Sequence, residues 1–179
     1  MLKDHLDKVD IKEKDGNYII TVPKNSDFIK ESLKEQMNSI VGQNPDFNPD
    51  NVTLEYVIDK ETYFPKVLSL SFEAKLDEQD VKVTTTNTVF AVFFVVACGN
   101  KEDAKINKEE VLQKSAEAYK NIKSADMLIN LKMEPKKSGQ PMELTMDVSI
   151  TLEPIAMKMS MDIKDQNVKL NSFIKDDIM

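Results

Sequence analysis

The 179-residue sequence contains no arginine, no tryptophan, one histidine, one cysteine and only four glycines. Each scarcity removes a class of chemistry. Because Cys98 is the single cysteine, no disulfide can form within the chain and no cysteine-based zinc site can be assembled. His5 lies far along the chain from Cys98, which leaves no nucleophile beside a base, and it reads as a surface side chain. Gly16, Gly42, Gly99 and Gly139 are scattered, so no phosphate-cradling loop can be drawn. All the positive charge is lysine, interspersed with acids, and a net charge of −7 with a pI near 4.9 offers a phosphate backbone little to hold. Nucleic acid is not expected as a partner. The longest apolar run, residues 89–98, is about half of the roughly 20 residues that a spanning helix requires.

Metal and acid/base chemistry find equally little support. Asp46, Asn48 and Asp50 place oxygens at alternate positions, as a calcium loop does, yet Asn51 replaces the required glycine and Val57 stands at the twelfth position. A plain turn is expected there. Asp176 and Asp177 read as solvated charge. The sequence therefore implies no enzyme, no metal and no cofactor.

What is present is a folded chain, with 41% apolar and 31% charged residues. A short helical turn over 2–9 precedes a hairpin marked by Gly16-Asn17. Phe28, Ile29, Leu33, Met37, Ile40 and Val41 recur at helical spacing over 26–41, with Gly42 placed as a cap. Strands follow over 52–58 and 68–76, joined by Asp59-Lys60-Glu61-Thr62, and again over 81–90. Asn107 and Glu110 have capping-box spacing before a second helical stripe over 111–122. The clearest alternation comes last, over 127–133, 142–152 and 155–163, with a weaker strand from 167 to the end. Such alternation predicts one covered and one wet face, with a helix as the cover. The fold class is α+β, a curved antiparallel sheet with two main amphipathic helices packed on one face.

Seven of the 10 methionines (Met127, Met133, Met142, Met146, Met157, Met159 and Met161) occupy strand positions in one region. Methionine is unbranched and polarizable, so a face lined with it can repack around ligands of different shape or fill an ordinary core. Both readings stand, and a thioether copper cluster is a remote third. The candidate lining of a ligand cavity is Met127, Ile129, Leu131, Met133, Leu144, Met146, Val148, Met157, Met159 and Met161.

Val95-Val96-Ala97-Cys98-Gly99, an apolar run ending in small residues and a cysteine before a polar stretch, resembles the lipobox of bacterial lipoproteins. The bare pattern fits a buried strand ending in a free cysteine equally well. Residues 90–179, with Phe-Ala-Val-Phe-Phe-Val-Val-Ala-Cys-Gly-Asn, Ser124-Ala125-Asp126 and Glu153-Pro154-Ile155-Ala156-Met157, resemble the N-terminal half of small Gram-positive lipoproteins of unknown function. Residues 1–90 resemble the C-terminal half, through Lys14-Asp15-Gly16-Asn17-Tyr18, the helix 26–41 and the stretch from Tyr56 to Pro65. That stretch is similar to the strand-turn-strand of LolA-like and LppX/LprG-like lipoproteins, whose incomplete barrel wraps helices and holds lipid.

The resemblance implies three segments: 1–90, a lipobox-like run and spacer over 91–106, and 107–179. It also implies a non-enzymatic domain that binds a lipid or other amphiphile in the concave face of its sheet. The alternative is a structural or protein-interaction lipoprotein with a filled core. An intact relative would be extracytoplasmic, membrane-anchored at the residue matching Cys98. Here the halves stand in reverse order, as in a fused or rearranged gene or a fragment spanning two tandem copies, and the nearest basic residue upstream of the run is Lys82, which argues against lipidation of this arrangement. Open strand edges would invite homodimerisation.

Overall fold

The computed structural model describes residues 2–41, 47–76, 79–90, 106–137, 139–152, 155–164 and 168–175. Nine strands form one antiparallel sheet in sequential order, curled but not closed: β1 (Asp10–Lys14), β2 (Asn17–Val22), β3 (Asp50–Asp59), β4 (Pro65–Leu76), β5 (Gln79–Phe90), β6 (Ser124–Pro135), β7 (Met142–Leu152), β8 (Ile155–Ile163) and β9 (Val168–Lys175). Helix α1 (Asp27–Val41) joins β2 to β3, and α2 (Lys108–Lys120) lies between β5 and β6. A short 3-10 turn, Leu2–Lys8, precedes β1. The α+β class follows directly. Residues 1–90 and 107–179 meet in the β5–β6 ladder, which runs from Val81 opposite Pro135 to Phe90 opposite Asp126.

Local chemistry sets the connections. The β1–β2 loop is Asp15-Gly16, one residue earlier than Gly16-Asn17, because both residues adopt positive φ (49° and 71°), as a two-residue hairpin turn matched to strand twist requires. Asn17 instead pairs with Lys14. Between β3 and β4, Asp59 Oδ1 accepts from the Glu61 amide, the Thr62 amide and the Thr62 hydroxyl at 2.9–3.0 Å, while Lys66 donates to Oδ2 at 2.9 Å. Burial opposes ionisation of this carboxyl, but the Thr62 and Lys66 bonds outweigh it and hold its pKa low. Asn107 caps α2 by accepting from the Glu110 amide. The reciprocal half of the expected capping box does not form, because the Glu110 carboxylate turns outward to Lys114 at 2.6 Å. Gly42 lies outside the described residues.

Strand alternation sends one set of side chains to the helices and the other outward. The main core joins Tyr18, Ile20 and Val22 of β2, Val52 and Ile58 of β3, Phe72 and Ala74 of β4, and Val81 and Val83 of β5 with Phe28, Ile29 and Leu33 of α1 and Val111 and Leu112 of α2. His5, expected on the surface, is half-buried and stacks on Phe28 at 4.3 Å between ring centroids. A smaller cluster gathers Phe64, Ile122 and Ala125.

Helix α2 is also held by aromatic and hydroxyl contacts. The Tyr56 and Ser115 hydroxyls lie 3.3 Å apart, Lys114 stands 4.7 Å over the Tyr63 ring, and Tyr63 packs 5.9 Å from Tyr18. Burial, then the neighbouring Tyr63, pushes the Tyr18 phenol up from 10.0 to about 12.

Two consequences can be measured. Ile20 and Ile58 are fully enclosed at 0% exposure, so Ile20→Ala or Ile58→Ala is expected to cost about 3 kcal/mol in urea unfolding. Tyr119→Ala, on the exposed side of α2, is expected to change stability by less than about 0.5 kcal/mol. Because the Tyr18 phenol is raised in the fold, its stabilising contribution is complete below pH 10 and is lost as the pH climbs through about 12. Urea titrations across that window should show a shallower alkaline loss for Tyr18→Phe than for the parent chain.

Candidate functional site

The ladders of β6 to β9 bring the ten cavity candidates onto one face of the sheet. Directly opposed residues in antiparallel strands share a face, so rows of side chains can be read across the sheet from the register. One row runs Asn87, Ile129, Met146, Met161 and Leu170; a second runs Val89, Met127, Val148, Met159 and Ser172; a third runs Ala125, Ile150, Met157 and Ile174. On the other side of the first row come Thr85, Leu131, Leu144, Ile163 and Val168, then Val83, Met133 and Met142. This is the helix-bearing face, because Val83 belongs to the main core and sits opposite Met133.

The candidates differ in cover. Leu131 and Met133 pack against the main core, and Val148 is buried at 8% exposure. Met127, Ile129, Leu144, Met146, Met157, Met159 and Met161 are half-buried. Neither apolar cluster contains a residue of β8 or β9, and Ile150 is the sole member from β7. The packed cover thus reaches β6 and, at Val148 and Ile150, part of β7, and it contains no residue of β8 or β9. Helix α2 is tied through Ser115 and Lys114 to Tyr56 and Tyr63, both outside the Met-rich strands, which fixes it over the other half of the sheet.

Met142, Ile163, Val168, Leu170 and Ile174 belong to the same apolar surface although they stood outside the candidate lining. Alternation in the sequence could have found them, since each continues the parity of its strand. Asn87 had no such signal. It stands between Leu68 and Ile129 in an otherwise apolar row, and among the described residues its buried Oδ1 has no hydrogen-bond partner.

The opposite face is polar. One hollow of about 370 Å³ is lined by residues that include Thr21, Thr53, Ser69, Ser71 and Thr84, and a second of about 250 Å³ by residues that include Thr86, Asn130, Lys132, Glu143 and Thr145. Leu131 and Leu144 also border the second, but neither hollow reaches Met146, Met157, Met159 or Met161. Lys132 bridges Glu134 at 3.0 Å and Glu143 at 3.7 Å, and Glu134, the first of these, contributes most to raising its pKa. The Glu134 pair lies along β6 and the Glu143 pair crosses from β6 to β7, both on the solvent side. Among the described residues no group of three or more imidazole, thiol or carboxylate side chains is placed to hold a metal ion, and no helix is long and apolar enough to cross a membrane. Cys98 and the lipobox-like run after Phe90 lie outside the described residues.

Comparison with curated proteins and with solved structures gave no match. A family profile does match, over residues 1–93 and 107–179, which together make up most of the chain. By that match the chain belongs to the family of unknown function DUF6612.

Proposed function

We propose that this chain is a non-enzymatic, LolA-like module that takes up a lipid or other amphiphile on the helix-bearing face of β6 to β9. The observation that carries the reading is the continuous apolar surface from Ile129 through Met146, Met161 and Leu170, with no β8 or β9 residue in either packed cluster. Apolar surface left outside a core gains about 25 cal/mol for each Å² that an acyl chain covers. Methionines suit such a contact because they adapt their shape at little cost. The unpaired Oδ1 of Asn87, on β5 beside Ile129, supplies an acceptor for a donor on the ligand, the usual division between apolar lining and a few polar anchors.

In this reading an intact relative, with its halves in the usual order, is held at the outer surface of the cytoplasmic membrane by the residue matching Cys98, with a polar spacer giving reach. Cys98 falls in 94–106, the stretch between the two family-matched segments. The alternative is a structural or protein-interaction lipoprotein without a ligand. One observation favours it: both hollows open on the outer face, away from the methionines.

Titration with a dansyl-labelled fatty acid separates the two. Amphiphile uptake is expected to give a saturable, blue-shifted emission, weakened about tenfold by Met159→Lys, which puts a charge where an acyl chain would lie. No uptake by the folded parent chain would leave the ligand-free reading. Asn87→Leu is expected to raise the stability of the free protein by about 1 kcal/mol, measured by urea unfolding, because it removes a buried acceptor that has no partner.

A further inference from the structure

The two edges of the sheet are built differently. On β1 four of five residues are charged (Asp10, Lys12, Glu13 and Lys14), and Glu13 is tied to Lys60 of the β3–β4 turn. Charge of this density is how natural sheets protect an edge from pairing. On β9 all eight residues are exposed, and apolar side chains stand on both faces: Leu170 and Ile174 on the helix-bearing side, Phe173 at 67% exposure on the other. Its inner side is paired with β8 and braced by Lys169 to Asp162 at 3.4 Å. Among the described residues nothing pairs with its outer side.

The occupant of that edge must be a strand, because only a strand satisfies a row of backbone donors and acceptors. It must also offer apolar side chains on both faces. A second copy of β9 meets both requirements, and we infer that two copies of this chain associate antiparallel through β9 about a twofold axis at Asn171, joining the two helix-bearing faces into one surface.

Pairing seven of the eight residues of β9 limits the axis to Asn171 or Ser172, and charge decides between them. A twofold axis normal to the sheet must pass through one residue, so that side chains opposite each other share a face. Centred on Asn171, Val168 faces Ile174, Leu170 faces Ser172, and Lys169 lies against Phe173, where its aliphatic stem packs on the ring. Centred one residue on, at Ser172, the apolar match is comparable but Lys169 stands opposite Lys175, and like charges directly opposed are destabilising.

The test uses the full chain with Cys98→Ser, so that any thiol is an introduced one. Light scattering after gel filtration is expected to give twice the 20.4-kDa chain mass at micromolar concentration, with Leu170→Lys weakening association about tenfold or more. No β9 residue belongs to a packed cluster, so this variant should keep its circular dichroism spectrum. Under mild oxidation Asn171→Cys should form a crosslinked dimer, since residues opposed in an antiparallel pair lie within disulfide reach, and Ser172→Cys should not. A monomer throughout, a dimer indifferent to Leu170→Lys, or crosslinking at 172 in preference to 171 would each overturn the inference.

Discussion

A nine-stranded sheet has an apolar face wider than two helices can cover, and the rest of this molecule follows from that mismatch. Eight inter-strand spacings of about 4.8 Å make the sheet about 38 Å across, whereas one packed helix covers about 10 Å. Two helices therefore shield about half of the face. Where they lie, the strands contribute fully buried residues such as Ile20 and Ile58; where they do not, residues of the same parity stay half-buried or exposed. The gradient from β2 to β9 is one of cover more than of hydrophobicity.

The position of the helices is set by their connections and their polar contacts. Helix α1 leaves β2 and returns to the adjacent β3, so it has to sit over that end of the sheet. Helix α2 precedes β6, yet Tyr56 and Tyr63 hold it back toward β3 through Ser115 and Lys114, and Lys108 donates to the backbone carbonyl of Val9 ahead of β1. Both helices thus collect over the N-terminal half, and β8 and β9 display methionine, isoleucine and leucine with no packed cluster to join. Methionine suits such a surface because a flexible side chain tolerates contact with water, with ligand or with a partner copy.

Much of this was legible in the sequence. Period-two alternation from Met127 to Ile163 placed the strands and assigned their residues to faces, since parity decides both. The stripe from Phe28 to Val41 gave α1, and Asn107 gave the start of α2. Cover was the illegible part: alternation shows that a face is apolar, and it does not show whether a helix lies on it. The Asp15-Gly16 turn was misplaced by one residue because Asn17 is also a turn former, and the deciding factor was strand twist, a property of the pair. Asn87 was invisible because an asparagine among Thr and Val residues reads as an ordinary outward position; its burial depends on the β4 and β6 neighbours Leu68 and Ile129.

The central claim is that the face of β7 to β9 is an apolar surface awaiting an apolar occupant. The most direct measurement is the carbon-13 methyl spectrum of protein labelled at both methionine and isoleucine methyls, recorded while an unlabelled fatty acid is added below its micellar concentration. The account requires Met146, Met157, Met159 and Met161 to shift in a saturable way while the isoleucine methyls of Ile20 and Ile58 stay in place. Unmoved methionine methyls, or a uniform shift that includes the enclosed isoleucines, would contradict it.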